Sequence, residues 1–127
     1  MIIEGIQSNK TEITKKKMFK PNLLIYHSRC NDGFGSALAC YKKYGSDVIY
    51  YPASHYQPPP DVKGKKVIIA DFSYSYEIMK QMIDEAEELL IIDHHKTAQE
   101  ALQDIPDENK IFDMDHSGAY LTWKYFH

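Results

Sequence analysis

Cysteine is scarce in this chain. Only Cys30 and Cys40 occur among its 127 residues. That excludes the disulfide framework of a small secreted domain and makes a reducing, cytoplasmic setting the expectation. Long apolar runs are missing too. None approaches the ~18 residues that a membrane-spanning helix needs, and charges are scattered through MIIEGIQSNKTEITKKKMFK, so a spanning segment is excluded and a secretory leader disfavoured. There is no excess of positive charge. The formal net charge is −3, so no global field gathers nucleic acid, and any phosphate must be held locally. No internal repeat is visible. What remains is 43% apolar and 26% charged, ordinary for a soluble globular protein. The length suits one domain whose core needs no covalent staples.

Residues 1–20 are polar and lysine-rich, and Pro21 follows them. They read as a partly disordered surface extension, with the lysine run a solvated tail, which leaves 21–127 as the domain. From Asn22 onward, apolar runs alternate with helical spacing. Leu23–Tyr26, Val67–Ala70 and Leu89–Ile92 are apolar at every position, as strands buried on both faces should be. DVIYYPAS and KIFDMD read as two further strands. Phe34, Ala37, Leu38 and Tyr41 share one helical face, with Gly45 as the stop; Met79, Met82, Ile83 and Ala86 share another. TAQEALQDI reads as a short helix and SGAYLTWKYFH as a helix opening at Ser117. Three successive prolines make HYQPPPDVKGK a loop. This order predicts an α/β doubly wound domain, a mostly parallel sheet of about five strands with helices on both faces. Ligands of such sheets bind beyond the carboxyl ends of the strands.

Those ends carry the reactive side chains. His27, Cys30, Asn31 and Asp32 follow the first strand, and Asp71 the third. Asp93, His94 and His95 end the fourth; Asp113, Asp115 and His116 end the last. Singly, each has an ordinary explanation, since aspartates at strand ends commonly cap helices or form turns. Gathered at one rim, the carboxylates would repel one another and lose hydration. A divalent cation removes that cost. Imidazole mixed with carboxylate suits Mn²⁺, Fe²⁺, Co²⁺ or Zn²⁺ rather than an all-oxygen Ca²⁺ site.

HSRCNDGFGSA, ADFS and IIDHHKTA stand in that order at strand ends, and SGAYLTW follows. Over roughly residues 22–127 the chain thereby resembles the DHH phosphoesterases, and within them the nanoRNase and oligonucleotide phosphodiesterase branch. The resemblance implies a hydrolase of phosphodiesters or phosphoanhydrides holding two divalent metal ions, usually Mn²⁺. Its partner would be a phosphate-bearing small molecule or short oligonucleotide. His27 would bind the first metal, Asp32 and His94 the second, and Asp71 would bridge them. Asp93 would orient an imidazole. His95 would face the substrate as acid or phosphate ligand. Ser117 and Gly118 would open the last helix toward a phosphate, although plain capping is the simpler reading of Ser117. Arg29 is a lesser candidate for a phosphate, and Tyr74 and Tyr76 for a base, with solvated or packed side chains as the simpler readings.

The pattern is broken twice. Cys30 stands where the family carries an aspartate. It is either a thiolate ligand, which would favour Zn²⁺ or Fe²⁺, or a small residue packed behind the loop. The chain also stops at WKYFH, before the family's further metal-binding aspartate and its C-terminal domain. The domain is therefore expected to be truncated, with Asp113 or Asp115 as a substitute ligand and an apolar surface open to self-association or a partner. Two other functions compete. One is a module that binds metal, nucleotide or a partner without turnover. The other is a receiver-like Mg²⁺ domain, which the paired histidines oppose.

Overall fold

The computed structural model describes residues 18–127. Most of the segment read as an N-terminal extension lies outside these described residues. Five strands, β1 (Leu23–His27), β2 (Ile49–Ala53), β3 (Lys66–Ala70), β4 (Glu88–Asp93) and β5 (Lys110–Phe112), form one parallel sheet in the order β2-β1-β3-β4-β5. The helices are α1 (Asn31–Tyr44), α2 (Tyr76–Glu85), α3 (Lys96–Ala101) and α4 (Gly118–Phe126). This is the α/β class the alternating sequence predicts.

The solid apolar runs have a direct cause. Successive side chains of a strand face opposite ways. Ile25, Val67, Ile69, Leu89 and Ile91 pack on one side with Met79 and Met82 of α2 and with Leu102 and Ile105. Leu24, Ile68, Leu90, Ile92 and Ile111 pack on the other with Cys40 of α1 and Leu121, Tyr125 and Phe126 of α4. A strand covered on both sides has no polar position to spare.

β1 and β3 are neighbours, and the chain winds away from them in opposite directions. The rim between their tips is the switch point where doubly wound sheets open a ligand crevice.

One face is corrected. Phe34, Leu38 and Tyr41, whose spacing marks the apolar side of α1, are 65%, 41% and 53% exposed. The helix instead buries Gly33, Ser36, Ala39 and Cys40. Small residues let α1 lie close to its neighbours. At Gly35 an added Cβ would come within 2.9 Å of the Ala119 side chain on α4. Tyr120 and Trp123 of α4 are also exposed, so the layer these two helices share keeps aromatic surface open to water.

The start of α2 offers a check on local stability. The Ser75 hydroxyl accepts the Ile78 amide at 3.4 Å as the helix N-cap. Ser75→Ala should cost about 1 kcal/mol, read as a lower urea midpoint.

Candidate metal centre

β1 ends at His27 and α1 begins at Asn31. The turn between them places Arg29 at φ 55 and swings Cys30 and Asp32 back toward the tip. Only glycine fits at position 33, where a Cβ would fall onto the His27 carbonyl. β3 ends at Ala70, and Asp71 takes φ 61. That left-handed conformation is costly for most side chains and easiest for Asn and Asp after glycine. The Asp71 amide donates to the Ile92 carbonyl at 2.8 Å, tying the β3 tip to β4. Gly118 packs close to Asp71, since any Cβ there would overlap its carboxylate.

Asp71 sits at the centre and is 1% exposed. His94 Nε2 lies 2.8 Å from its Oδ1. The Cys30 thiol donates to its Oδ2 at 3.4 Å, and His27 Nδ1 is 4.0 Å from the same oxygen. Asp32 Oδ2 stands 3.8 Å from His94 Nε2. Two sets of ligand-type side chains result: His27, Cys30 and Asp71; and Asp71, Asp93, His94 and His95. Each set offers one donor atom per residue, all within 4.8 Å of one another. Asp71 belongs to both.

The electrostatics fit a cation. Burial pushes the Asp71 carboxyl up; the Cys30 hydrogen bond and His94 pull it down, and nearby Asp32 pushes it up again. The ion-pair partners of Asp71 among the described residues are the two imidazoles His27 and His94. A shielded carboxylate surrounded by imidazole, thiol and a second carboxylate is a donor set for a divalent transition ion. Cys30 Sγ lies in the first set, so the thiolate-ligand reading is geometrically open.

Asp93, also 1% exposed, is occupied differently. Its Oδ1 accepts the His94 amide at 2.8 Å and lies 2.7 Å from His95 Nδ1, while the Ser73 hydroxyl donates to Oδ2 at 3.4 Å. It fixes the half-exposed His95 ring through Nδ1, which leaves Nε2 turned away from Asp93. Asp93, expected to orient an imidazole, thus contacts that of His95, and it also belongs to the second ligand set.

The other candidates stand as follows. Ser117 spends its hydroxyl on the Tyr120 amide at 3.1 Å, as a cap. Gly118 contributes room for Asp71. Arg29 is exposed. Tyr74 is buried, edge-on to Phe72 at 4.8 Å, and so cannot stack a base; Tyr76 packs against the same core. Asp113 and Asp115 belong to neither ligand set among the described residues. His55 was missed. It lies just past β2, its ring 5.8 Å from that of His27 and 4.7 Å from that of Phe72. The signal was available, because DVIYYPAS ends at a strand tip directly before it.

No family model matches this chain, and no solved structure matches it. An uncharacterized protein of Acanthamoeba polyphaga mimivirus is 34% identical over 93% of this chain and 32% of its own. The chain thus spans about a third of that curated relative's length.

Proposed function

We propose that this domain is a DHH-type phosphoesterase that uses two divalent ions, Mn²⁺ first among them, to hydrolyse a phosphodiester or phosphoanhydride of a small nucleotide or short oligonucleotide. One observation carries the reading: a buried aspartate, Asp71, is shared by two ligand-type sets at the switch point of the sheet. His27 and Cys30 would hold one side and His94 the other, with Asp32, which stands outside both sets but 3.8 Å from His94 Nε2, as its further ligand. Bound there, paired divalent ions would supply an acidified water and neutralise phosphate charge. His95, fixed by Asp93, presents Nε2 to a non-bridging phosphate oxygen. A reducing cytoplasm would keep Cys30 a thiol.

Mn²⁺-dependent release of mononucleotide from a dinucleotide tests this. His94→Ala should lower the rate by more than the ~10–100-fold that outer-shell partners are worth. Turnover indifferent to both manganese and that substitution contradicts it. A second reading, a metal-holding module docked on a partner or on its own copy, is favoured by the exposed Phe34, Leu38, Tyr41, Tyr120 and Trp123. Manganese binding with no turnover would select it.

A further inference from the structure

The rim carries a second aspartate–histidine pair that the ligand sets do not use. β5 is paired with β4 so that Phe112 lies opposite Asp93, and the Asp113 amide donates to the Asp93 carbonyl at 3.3 Å. Residue 113 is therefore level with the Asp-His-His segment. Gly118, a few residues on, touches the Asp71 carboxylate at the tip of β3. β4 lies between β5 and β3, so the loop 113–117 crosses the end of β4, beside the candidate centre. His116 rides on that loop. Its Nδ1 is 2.8 Å from Asp113 Oδ2. Its ring stacks on Tyr120, with centroids 4.4 Å apart and planes 17° from parallel.

Nδ1 and one ring face are thus committed, which leaves Nε2 as the free end of a side chain 45% exposed. Burial raises the Asp113 carboxyl, but the hydrogen bonds from His116 and the Asp115 amide outweigh it and hold the group below its usual range. Such a carboxylate fixes the ring through Nδ1 and turns Nε2 outward. His116 also stands outside both ligand sets. That position has a chemical meaning. In an in-line displacement the leaving oxygen departs on the side of phosphorus opposite the attacking water. A proton donor to it must be close to the centre yet clear of the ligands. His95 is already assigned to a non-bridging oxygen, whereas His116 stands outside both ligand sets with Nε2 unassigned.

Resting on the phosphoesterase reading, we propose that His116, positioned by Asp113 and Tyr120, protonates the leaving oxygen, and that the substrate is a phosphodiester with a sugar hydroxyl as leaving group. Water's oxygen forms the new bond to phosphorus as the ester P–O bond breaks. The bonding pair goes to the sugar oxygen, which takes the Nε2 proton. The proton lost by water returns to the imidazole through solvent. A phosphomonoester and an alcohol result. An anhydride, whose leaving phosphate is already a stable anion, would need no such donor.

The test compares two substrates with the manganese-loaded full chain: a dinucleotide, and the p-nitrophenyl ester of a nucleotide, whose leaving phenolate needs no proton. His116→Ala should slow the dinucleotide by roughly 10²–10⁴-fold and leave the nitrophenyl ester within about threefold. Asp113→Asn should show the same selectivity more weakly. Manganese affinity by titration should be unchanged in both variants, which also reports that they fold. Equal losses on both substrates, or none on the dinucleotide, overturn the assignment while the hydrolase reading stands. A wild-type chain that cleaves neither substrate overturns both.

Discussion

Asp71→Asn is expected to destroy divalent-metal binding while leaving the metal-free protein as stable as the wild type, or more so. The substitution keeps the shape of the side chain, and asparagine accepts φ 61 about as readily as aspartate. It removes the charge of a carboxylate that is 1% exposed. In EDTA that charge is a liability, because burial raises the folded-state value above the ordinary 3.8. Below 3.8 both states of the chain hold the proton and there is no penalty. As pH rises through the window from 3.8 to the raised value, the unfolded chain gives up its proton first, and wild-type stability falls. The advantage of Asp71→Asn over wild type should therefore be absent in acid, grow across that window and then level off. With manganese the order reverses. Wild type gains about 2.7 kcal/mol at a hundred times the dissociation constant, and the variant gains almost nothing. Urea denaturation with EDTA and with manganese reads both signs. A variant that is less stable in EDTA and still binds manganese would show that Asp71 is simply a structural residue.

Gly33→Ala should be the most damaging single methyl in the domain. Its Cβ would overlap the carbonyl oxygen of His27 and stand 2.9 Å from the carbonyl carbon. These are backbone atoms of a strand paired on both edges, with β2 and with β3, so they cannot rotate away. Either α1 lifts or β1 shifts, at a cost of about 3 kcal/mol, the upper end of ordinary overpacking. The shift would separate His27, Cys30 and Asp32 from Asp71, so manganese affinity should fall with stability. Gly35→Ala is the control. Its obstacle is the Ala119 methyl, which can yield by a small helix movement, and its effect should be clearly smaller. Equal urea midpoints for the two variants would contradict this ranking.

The parts of the fold legible from sequence are those in which one physical cause dominates. Strands buried on both faces must be apolar throughout, so Leu23–Tyr26, Val67–Ala70 and Leu89–Ile92 declared themselves, and their carboxyl ends located Asp71 and Asp93–His95. The hydroxyl of Ser117 was legible as a cap for the same reason: a helix start has amides to satisfy. The orientation of α1 was not legible from apolar spacing, because its contact is made by small residues. Gly33, Ser36, Ala39 and Cys40 face inward, and the large apolar residues that drew attention face out. His55 escaped because it lies beyond an edge strand in a proline-rich segment that reads as plain loop. The left-handed turn at Asp71 also leaves no sequence trace, since aspartate is common in turns of many kinds. The pairing of Asp113 with His116 could not be told in advance from a metal ligand, because both uses draw on the same residue types at a strand end.

The central claim is that this rim exists to hold two cations through a shared Asp71. Manganese titration followed by electron paramagnetic resonance measures it directly. Two ions per chain with a spin-coupled signal, lost together in Asp71→Asn, is the expected result. Binding of a single isolated ion, or titration curves that do not change when Asp71 is replaced, would contradict it.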